Sequence, residues 1–172
     1  MILSDVEIRE ICEAGAITPF DPSLVNSASL DVRLGHELLI ESAESHEFKP
    51  YPLCGHTADD PYPLRPGQFV LAPTIEVFNV PISCAAEFRL KSSCARIGLD
   101  NALAMWIDPG FSNSVLTMEL RNNRQLHSIS LFPGMRIGQI VFHRMSDLPA
   151  IPYNINGRYN NDLAVTQSKG HQ

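Results

Sequence analysis

The sequence has no basic cluster, no long apolar run and no closely spaced cysteine pair. It carries 13 Lys and Arg against 19 Asp and Glu, for a net charge of −6, which argues against a nucleic-acid polymer as the partner. Its apolar runs fall short of membrane-spanning length, and its N-terminus does not follow the signal-peptide pattern. Cys12, Cys54, Cys84 and Cys94 form no C-x-x-C motif. We therefore expect a cytoplasmic protein with free thiols that binds no membrane.

Helical periodicity is also scarce, whereas short apolar runs separated by Pro and Gly are common. The clearest helix begins after Ser4, which can form a capping box with Glu7, and Gly15 can end it. Residues 29–34 alternate between apolar and polar side chains and predict a strand. Residues 42–66 are rich in Pro, His and charge, and predict a long irregular loop. The 172 residues fit one mainly β domain with a substantial core.

Two Pro-Gly pairs punctuate the sequence in matching contexts. Pro66-Gly67 and Pro133-Gly134 each follow a leucine two residues before the proline and precede an apolar run, at 69–72 and 137–142. Pro followed by Gly is typical of a tight turn. The similarity predicts two equivalent hairpins.

Polar chemistry concentrates in residues 87–120. Arg89 and Lys91 alternate with apolar residues and so point the same way from a strand. A serine at 92 or 93 can cap a short helix, on which Ser92 and Arg96 share a face. The N-terminus of such a helix, beside Lys91 and Arg96, could hold a phosphate. The alternative is a basic surface turn with ordinary capping.

Two acidic residues in the same stretch are candidates for chemistry. Asp108 joins a predicted strand, Trp106-Ile107, to a Pro-Gly turn, and alone it would be read as a turn former. Glu119 lies on a predicted strand whose alternate face also carries the apolar Val115, so its carboxyl is expected inside the protein. Burial raises a carboxyl pKa and makes Glu119 a candidate proton shuttle. The alternative is a buried salt bridge with a nearby arginine, at position 89, 96 or 121.

The motifs in this stretch resemble those of the dCTP deaminase family. KSSCARIGL, WIDPGFS and TMEL carry the resemblance, together with MILSDVEI, PFDPSLVNSASLDVRLG, PGQFVLAPTIEV and LFPGMRIGQIVF elsewhere in the chain. This family shares its fold with trimeric dUTPases. The resemblance implies a distorted, jelly-roll-like β-barrel of the dUTPase type with an N-terminal helix and a few short helices. It would span residues 1–153, with residues 154–172 a flexible tail and candidate lid for the active site.

The resemblance also implies a reaction, the hydrolysis of dCTP to dUTP and ammonia. Zinc-dependent cytidine deaminases carry an H-x-E…P-C-x-x-C signature, which this sequence lacks, so we expect no catalytic zinc. The family instead uses a glutamate as general base, and the matching position is Glu119. Magnesium is expected only as an ion that bridges the phosphates of the substrate.

Further site residues follow from the same resemblance. Ser92 and Arg96 are expected to act with Glu119 in catalysis, by holding the water and the developing charge. Asp108 is expected to bind the deoxyribose 3′-hydroxyl. Gln139 and Tyr153 match triphosphate contacts, and Arg158 stands where the family has a lysine. The complete predicted substrate-binding set is Lys91, Ser92, Ser93, Arg96, Asp108, Thr117, Met118, Glu119, Gln139, Tyr153 and Arg158.

The family also implies homotrimers with sites between subunits, dUTP as a further ligand and dTTP as an inhibitor. Four alternatives stay open at this point: a bifunctional enzyme that releases dUMP, a dUTPase, a non-catalytic nucleotide sensor, and an enzyme for modified cytosine nucleotides. Asn101, Ala102, Leu103 and Ala104 occupy the place of the family's H-V-T-A, which favours the sensor. Glu119 and Arg96 favour a deaminase over a dUTPase.

Overall fold

A computed structural model describes residues 1–102 and 104–170 of the chain. Within them the helices are α1 (Asp5–Glu13), α2 (Ser92–Arg96) and α3 (Tyr153–Asn156), with one 3-10 turn at Pro22–Leu24. The strands are β1 (Ile17–Thr18), β2 (Val25–Asn26), β3 (Ser29–Arg33), β4 (Glu37–Ser42), β5 (Ser45–Pro52), β6 (Tyr62–Leu64), β7 (Phe69–Asn79), β8 (Cys84–Leu90), β9 (Leu99–Asn101), β10 (Trp106–Ile107), β11 (Ser112–Asn122), β12 (Ile129–Leu131) and β13 (Arg136–Arg144). The prediction of a mainly β protein is confirmed.

Helix α1 forms as the sequence predicts. The Ser4 backbone N–H donates to the Glu7 carboxylate at 3.0 Å, as in a capping box. Ile8 and Cys12 share the buried face of the helix. Gly15 follows its C-terminal end with φ +99°, a conformation that glycine adopts without strain.

Two antiparallel sheets enclose the core. The first runs in the order β5-β4-β7-β11-β9, with β1 also paired to β7, and the second in the order β10-β8-β13-β3-β2. Phe78 and Met118 from the first sheet meet Phe88 and Ile140 from the second in one continuous apolar cluster. The long strands β7 and β11, side by side at the middle of the first sheet, provide the platform for the candidate site.

The two Pro-Gly turns are present, but the predicted hairpins are wrong. Gly67 and Gly134 have φ of +73° and +81°, as the turns require. The short strand before each turn does not fold back on the strand after it, because β6 pairs with β12 in a separate two-stranded ribbon. The strands that lead into the two turns therefore pair with each other and not with the strands that follow the turns.

The prediction of an irregular loop across residues 42–66 is also wrong, because β5 and β6 lie within it. β5 forms a hairpin with β4 and is the edge strand of the first sheet. Pro50 and Pro52 are tolerated there because an edge strand has one unpaired side, where a missing N–H costs no ladder hydrogen bond. Most side chains of β5 are exposed, so it lacks the alternation of a half-buried strand.

Helix α2 begins at Ser92, one residue earlier than a cap at Ser92 predicts and two residues earlier than a cap at Ser93 predicts. Lys91 occupies the N-cap position without a side-chain capping bond, so neither serine caps the helix from that position. The helix ends at Arg96, and Gly98 follows with φ +88°. No helix in the described residues is both long and apolar enough to cross a membrane.

Candidate active site

A cavity of about 510 Å³ opens over β11, on the side of the first sheet that faces away from the core. Its walls come from the β5 edge strand, from β7, from the segment around β10, and from the C-terminal tail. Most of the lining is apolar or aromatic, with a few polar groups among them. The lining residues are Phe48, Phe69, Leu71, Ala104, Trp106, Ile107, Asp108, Phe111, Val115, Leu116, Thr117, Glu119, Tyr153, Tyr159, Asp162, Thr166, Gln167 and Ser168.

The local shape of β11 decides which of its side chains reach the cavity. A register irregularity with β7 lies between Val115 and Thr117, so that Val115, Leu116 and Thr117 all contribute to the lining. Beyond it the strand alternates regularly, which directs Glu119 to the cavity and the 1 % exposed Met118 to the core. The Met118 side chain therefore lies away from the predicted base site.

The Glu119 carboxyl lies partly buried in this cavity. Its Oε2 atom is buried without a hydrogen-bond partner among the described residues. Burial raises the pKa of Glu119 from its ordinary value of 4.5 to about 7, because charge is poorly solvated there. In the described part of the chain no lysine or arginine forms an ion pair with it. The salt-bridge alternative is thus not realised within the described chain.

Asn101 fixes the backbone on which Glu119 stands. Its Oδ1 accepts a hydrogen bond from the Glu119 N–H at 3.0 Å, and its Nδ2 donates to the Ala102 carbonyl at 2.9 Å. The Ala102 N–H in turn donates to the Glu119 carbonyl at 2.9 Å. The Asn101 side chain is buried, so these bonds are shielded from water. Sequence reasoning noted Asn101 only as a replacement for a family histidine; Leu103, in the same segment, lies outside the described residues.

Asp108 and Tyr153 meet at the end of the cavity nearest β10. The Trp106 indole N–H donates to Asp108 Oδ1 at 3.1 Å and holds the carboxylate from one side. The Tyr153 N–H donates to the Pro109 carbonyl at 2.8 Å, which ties α3 to the turn after Asp108. The Tyr153 ring packs against Phe111 with 5.8 Å between ring centroids. These two predicted site residues therefore share the cavity with Glu119 and Thr117.

The described part of the predicted tail, up to residue 170, runs along the cavity mouth. The Val115 N–H donates to the Asp162 carbonyl at 2.9 Å, and the Thr166 N–H donates to Thr117 Oγ1 at 3.3 Å. Lys169 forms an ion pair with Asp162 at 2.7 Å, which closes a short loop in the tail. His171 and Gln172, the last residues of the predicted tail, lie outside the described residues.

A second group of predicted site residues lies on the other sheet and around α2. Lys91, Ser92, Ser93, Arg96 and Gln139 are absent from the lining of the cavity within the described chain. Ser92, Ser93 and Arg96 are exposed on α2. Arg158, also outside the lining, donates to the Gly170 carbonyl within the tail. One chain therefore brings together only part of the predicted site.

A buried carboxylate that sequence reasoning did not select holds Lys91 of this second group. Asp31, 1 % exposed, accepts from Lys91 Nζ at 2.6 Å and from Asn26 Nδ2 at 2.8 Å. Next to it the Ser29 hydroxyl donates to Gln139 Oε1 at 2.8 Å. Ser29 and Asp31 occupy the polar positions of the predicted β3 alternation, so that pattern was the available signal. Such an alternation is typical of a strand that is buried on one face only, whereas both polar side chains are buried here.

The family profile described as dCTP deaminase-like matches residues 2–145. The chain belongs to the dCTP deaminase-like family. Two relatives named "dCTP deaminase, dUMP-forming" are each 37 % identical to this family member. The protein from Corynebacterium efficiens aligns over 99 % of this chain and 95 % of its own length. The protein from Acidothermus cellulolyticus aligns over 100 % and 96 %.

Two solved structures of lower sequence similarity show that this family member has the predicted fold. The 2′-deoxycytidine 5′-triphosphate deaminase of Agrobacterium tumefaciens superposes with a TM-score of 0.69 at 22 % identity. That match covers 84 % of this chain and 48 % of the other, so this chain spans about half the length of that relative. The dUTPase of Streptococcus mutans superposes with a TM-score of 0.51 at 17 % identity, over 76 % and 93 % of the two chains. The dUTPase-like fold is thereby confirmed.

Proposed function

We propose that this protein hydrolyses dCTP to ammonia and dUTP and then cleaves dUTP to dUMP and pyrophosphate. The observation that carries the deaminase step is Glu119, a carboxyl in a largely apolar cavity. One of its oxygens is buried without a partner among the described residues, and its pKa is near neutrality. The dUMP step is supported by the relatives' names, which specify a dUMP-forming enzyme. These names favour the bifunctional alternative over release of dUTP as the end product.

The deaminase step uses the two protonation states of one carboxyl. Ionised Glu119 removes a proton from water, and the oxygen forms a bond to C4 of the cytosine. That first proton passes to N3 of the ring, and the second proton of the former water passes through the same carboxyl to the amino group. The C4–N bond then breaks, the oxygen on C4 becomes a carbonyl, and ammonia leaves. A carboxyl whose pKa is about 7 suits both halves of this transfer near neutral pH, because neither state is strongly disfavoured.

The cavity offers groups for the rest of the nucleoside. Asp108 would accept a hydrogen bond from the 3′-hydroxyl of deoxyribose, with the Trp106 indole restraining the carboxylate. Thr117 and the backbone beside Met118 would line the base. The aromatic faces of Phe111 and Tyr153 lie at the same end of the cavity, where the sugar would pack.

Magnesium is proposed to arrive with the nucleotide. The described residues bring no three His, Cys, Asp or Glu side chains together as a metal-binding group, so the phosphate oxygens would supply most of its ligands. When bound, the ion would neutralise phosphate charge, which would help water to attack the α-phosphorus and pyrophosphate to leave as the bond to the β-phosphate breaks.

The second half of the site is proposed to come from a neighbouring subunit of a homotrimer. Lys91, Ser92, Ser93 and Arg96 lie together at the end of β8 and on α2, exposed or half-buried and outside the Glu119 cavity. From a neighbour, Ser92 and Arg96 could reach the reacting water, and Lys91 and Gln139 the phosphates. Arg158 would add a tail contact to the triphosphate.

Product analysis tests the function. Wild-type protein and a Glu119→Gln variant are incubated with dCTP and Mg²⁺, and dCTP, dUTP and dUMP are resolved by chromatography. We expect dUMP and pyrophosphate from wild type and no ammonia from the variant, because Gln cannot take a proton. Accumulation of dUTP would reduce the proposal to deamination alone. Nucleotide binding without any product would identify a non-catalytic relative.

Subunit mixing tests the shared site. Arg96→Ala and Glu119→Gln chains are each expected to be inactive alone, but in trimers reassembled from both, some sites would combine an intact Arg96 with an intact Glu119. With random mixing about a quarter of the sites recover activity if the two residues come from different chains. Recovery of none would place both residues of a site in one chain.

A further inference from the structure

An apolar wall begins directly beside Glu119. Leu71 of β7 is the cross-strand partner of Glu119, and directly opposed residues point to the same face with Cβ atoms about 5 Å apart. Two residues along β7 on the same face comes Phe69, and Phe48 from β5 packs on it with 6.1 Å between ring centroids. Leu71, Phe69 and Phe48 all line the cavity; we name these three residues the C5 wall.

The C5 wall lies on the opposite side of Glu119 from Asp108. Along β11 the cavity passes from Val115, where the tail residue Asp162 is attached, through Thr117 to Glu119. Asp108 and Tyr153 belong to the Val115 end, because Tyr153 packs on Phe111 and is bonded to Pro109. Glu119 therefore separates a polar end that can take the sugar from an apolar end formed by the C5 wall.

The placement of a bound cytosine follows from these two ends. In the ring, C4 lies opposite the nitrogen that carries the sugar, and C5 is bonded directly to C4. With the sugar at Asp108 and C4 at Glu119, the two ring atoms bonded to C4, N3 and C5, both lie at the Glu119 end of the cavity. The side chains of the C5 wall offer no hydrogen bond, and the Gln167 Oε1 atom beside them accepts from the Phe48 N–H at 3.4 Å. The C5 wall therefore suits C5, which needs no hydrogen-bond partner, and not N3, and it favours an apolar group on C5.

We propose that the C5 wall receives an apolar substituent on C5 of the pyrimidine, so that 5-methyl-dCTP is a better substrate than dCTP. This inference rests on the proposed deaminase function and specifies its substrate class. The reaction is unchanged: water adds at C4, the C4–N bond breaks, and the methyl group stays on C5. In an apolar pocket one such carbon changes kcat/KM by about tenfold or more.

The test compares kcat/KM for 5-methyl-dCTP and dCTP in the full-length protein, measured as ammonia release. The ratio of the two values is used because it does not depend on the fraction of active protein. A Phe48→Ala variant removes part of the wall from an edge strand, where folding tolerates the change best. Phe132→Ala is the matched control, since Phe132 is also half-buried but lies outside the cavity lining.

We expect a ratio of about ten in wild type and in Phe132→Ala, the lower end of the effect of one carbon in such a pocket. In Phe48→Ala the ratio should fall toward one, because the methyl group loses its contact. A wild-type ratio of one or below, or an unchanged ratio in Phe48→Ala, would overturn the inference while leaving deamination intact. Turnover of neither nucleotide would overturn the proposed function and this inference together.

Discussion

The burial of Glu119 predicts that replacing it with Gln changes how stability depends on pH. In the folded chain the pKa of Glu119 is about 7, against an ordinary value of 4.5. At about 1.4 kcal/mol for each pH unit, the ionised carboxylate would cost the folded state at most about 3 kcal/mol, and solvent screening of this partly exposed group reduces the cost to about 1 to 2 kcal/mol. Below pH 4.5 the carboxyl is protonated in both states and costs nothing. As pH rises to about 7 the unfolded chain ionises first, so the stability of the wild type falls.

A Glu119→Gln variant lacks this titration. Relative to wild type it should gain about 1 to 2 kcal/mol of unfolding free energy between pH 5 and pH 8. The Gln amide will also be unpartnered where Oε2 now lies, at a cost of about 1 to 3 kcal/mol. That cost is the same at every pH, so only the change with pH is diagnostic.

Urea unfolding followed by circular dichroism measures this difference at pH 5 and pH 8, with all proteins at one concentration because assembly affects apparent stability. Glu10→Gln is the matched control, since Glu10 is exposed on α1 and its replacement should give no comparable change. The reasoning is refuted if the difference between Glu119→Gln and wild type is the same at the two pH values. It would then follow that Glu119 is well solvated or paired in solution.

Three other changes have expected outcomes. Asn101→Ala removes two buried hydrogen bonds beside Glu119 and should lower the free energy of unfolding by about 1 to 3 kcal/mol. It should also reduce kcat by a larger factor than it changes KM, and an unchanged kcat would contradict a positioning role. The coupling energy between Asp31 and Lys91, measured in a double-mutant cycle of Asp31→Asn and Lys91→Ala, should be about 1 to 3 kcal/mol in favour of the pair. A coupling energy of zero would mean that the pair is solvated. Ending the chain at Asp162 removes Thr166, Gln167 and Ser168 from the cavity. KM for dCTP should then rise about tenfold, which corresponds to a loss of about 1.4 kcal/mol of binding free energy. An unchanged KM would mean that the tail does not contact the nucleotide.

The sequence was sufficient for the parts of the fold that local pattern controls. The Ser4 capping box, the alternation of β3 and the placement of Glu119 in β11 all depend on residues a few positions apart. Glu119 could be found because Val115, on the same face, is apolar and so indicated that both faces of the strand are covered. The structure bears this out, since Val115 is 8 % exposed.

Long-range pairing explains what the sequence did not predict. Asp31 and Lys91 are sixty residues apart in the chain, and nothing local shows that a carboxylate in β3 will face the end of β8. The pairing of β6 with β12 is of the same kind, because it joins the strands before two separate turns. β5 was missed for another reason. An exposed edge strand with two prolines has neither the apolar alternation nor the composition by which strands are recognised.

Glu119 Oε2 has no hydrogen-bond partner among the described residues, and the proposed chemistry depends on how the fold holds this carboxyl. β11 is held on both sides, by β7 and by β9 with Asn101, so the strand cannot easily turn the carboxyl toward solvent. Ionisation of Glu119 therefore takes place in partly buried surroundings, where it costs free energy. A donor supplied from outside, whether the attacking water, the amino group of a cytosine or Arg96 of a neighbouring subunit, would stabilise the ionised form and lower the pKa of Glu119. Binding or assembly that provides such a donor must then become more favourable as pH rises through about 7, because it offsets a cost that exists only when the carboxyl is ionised.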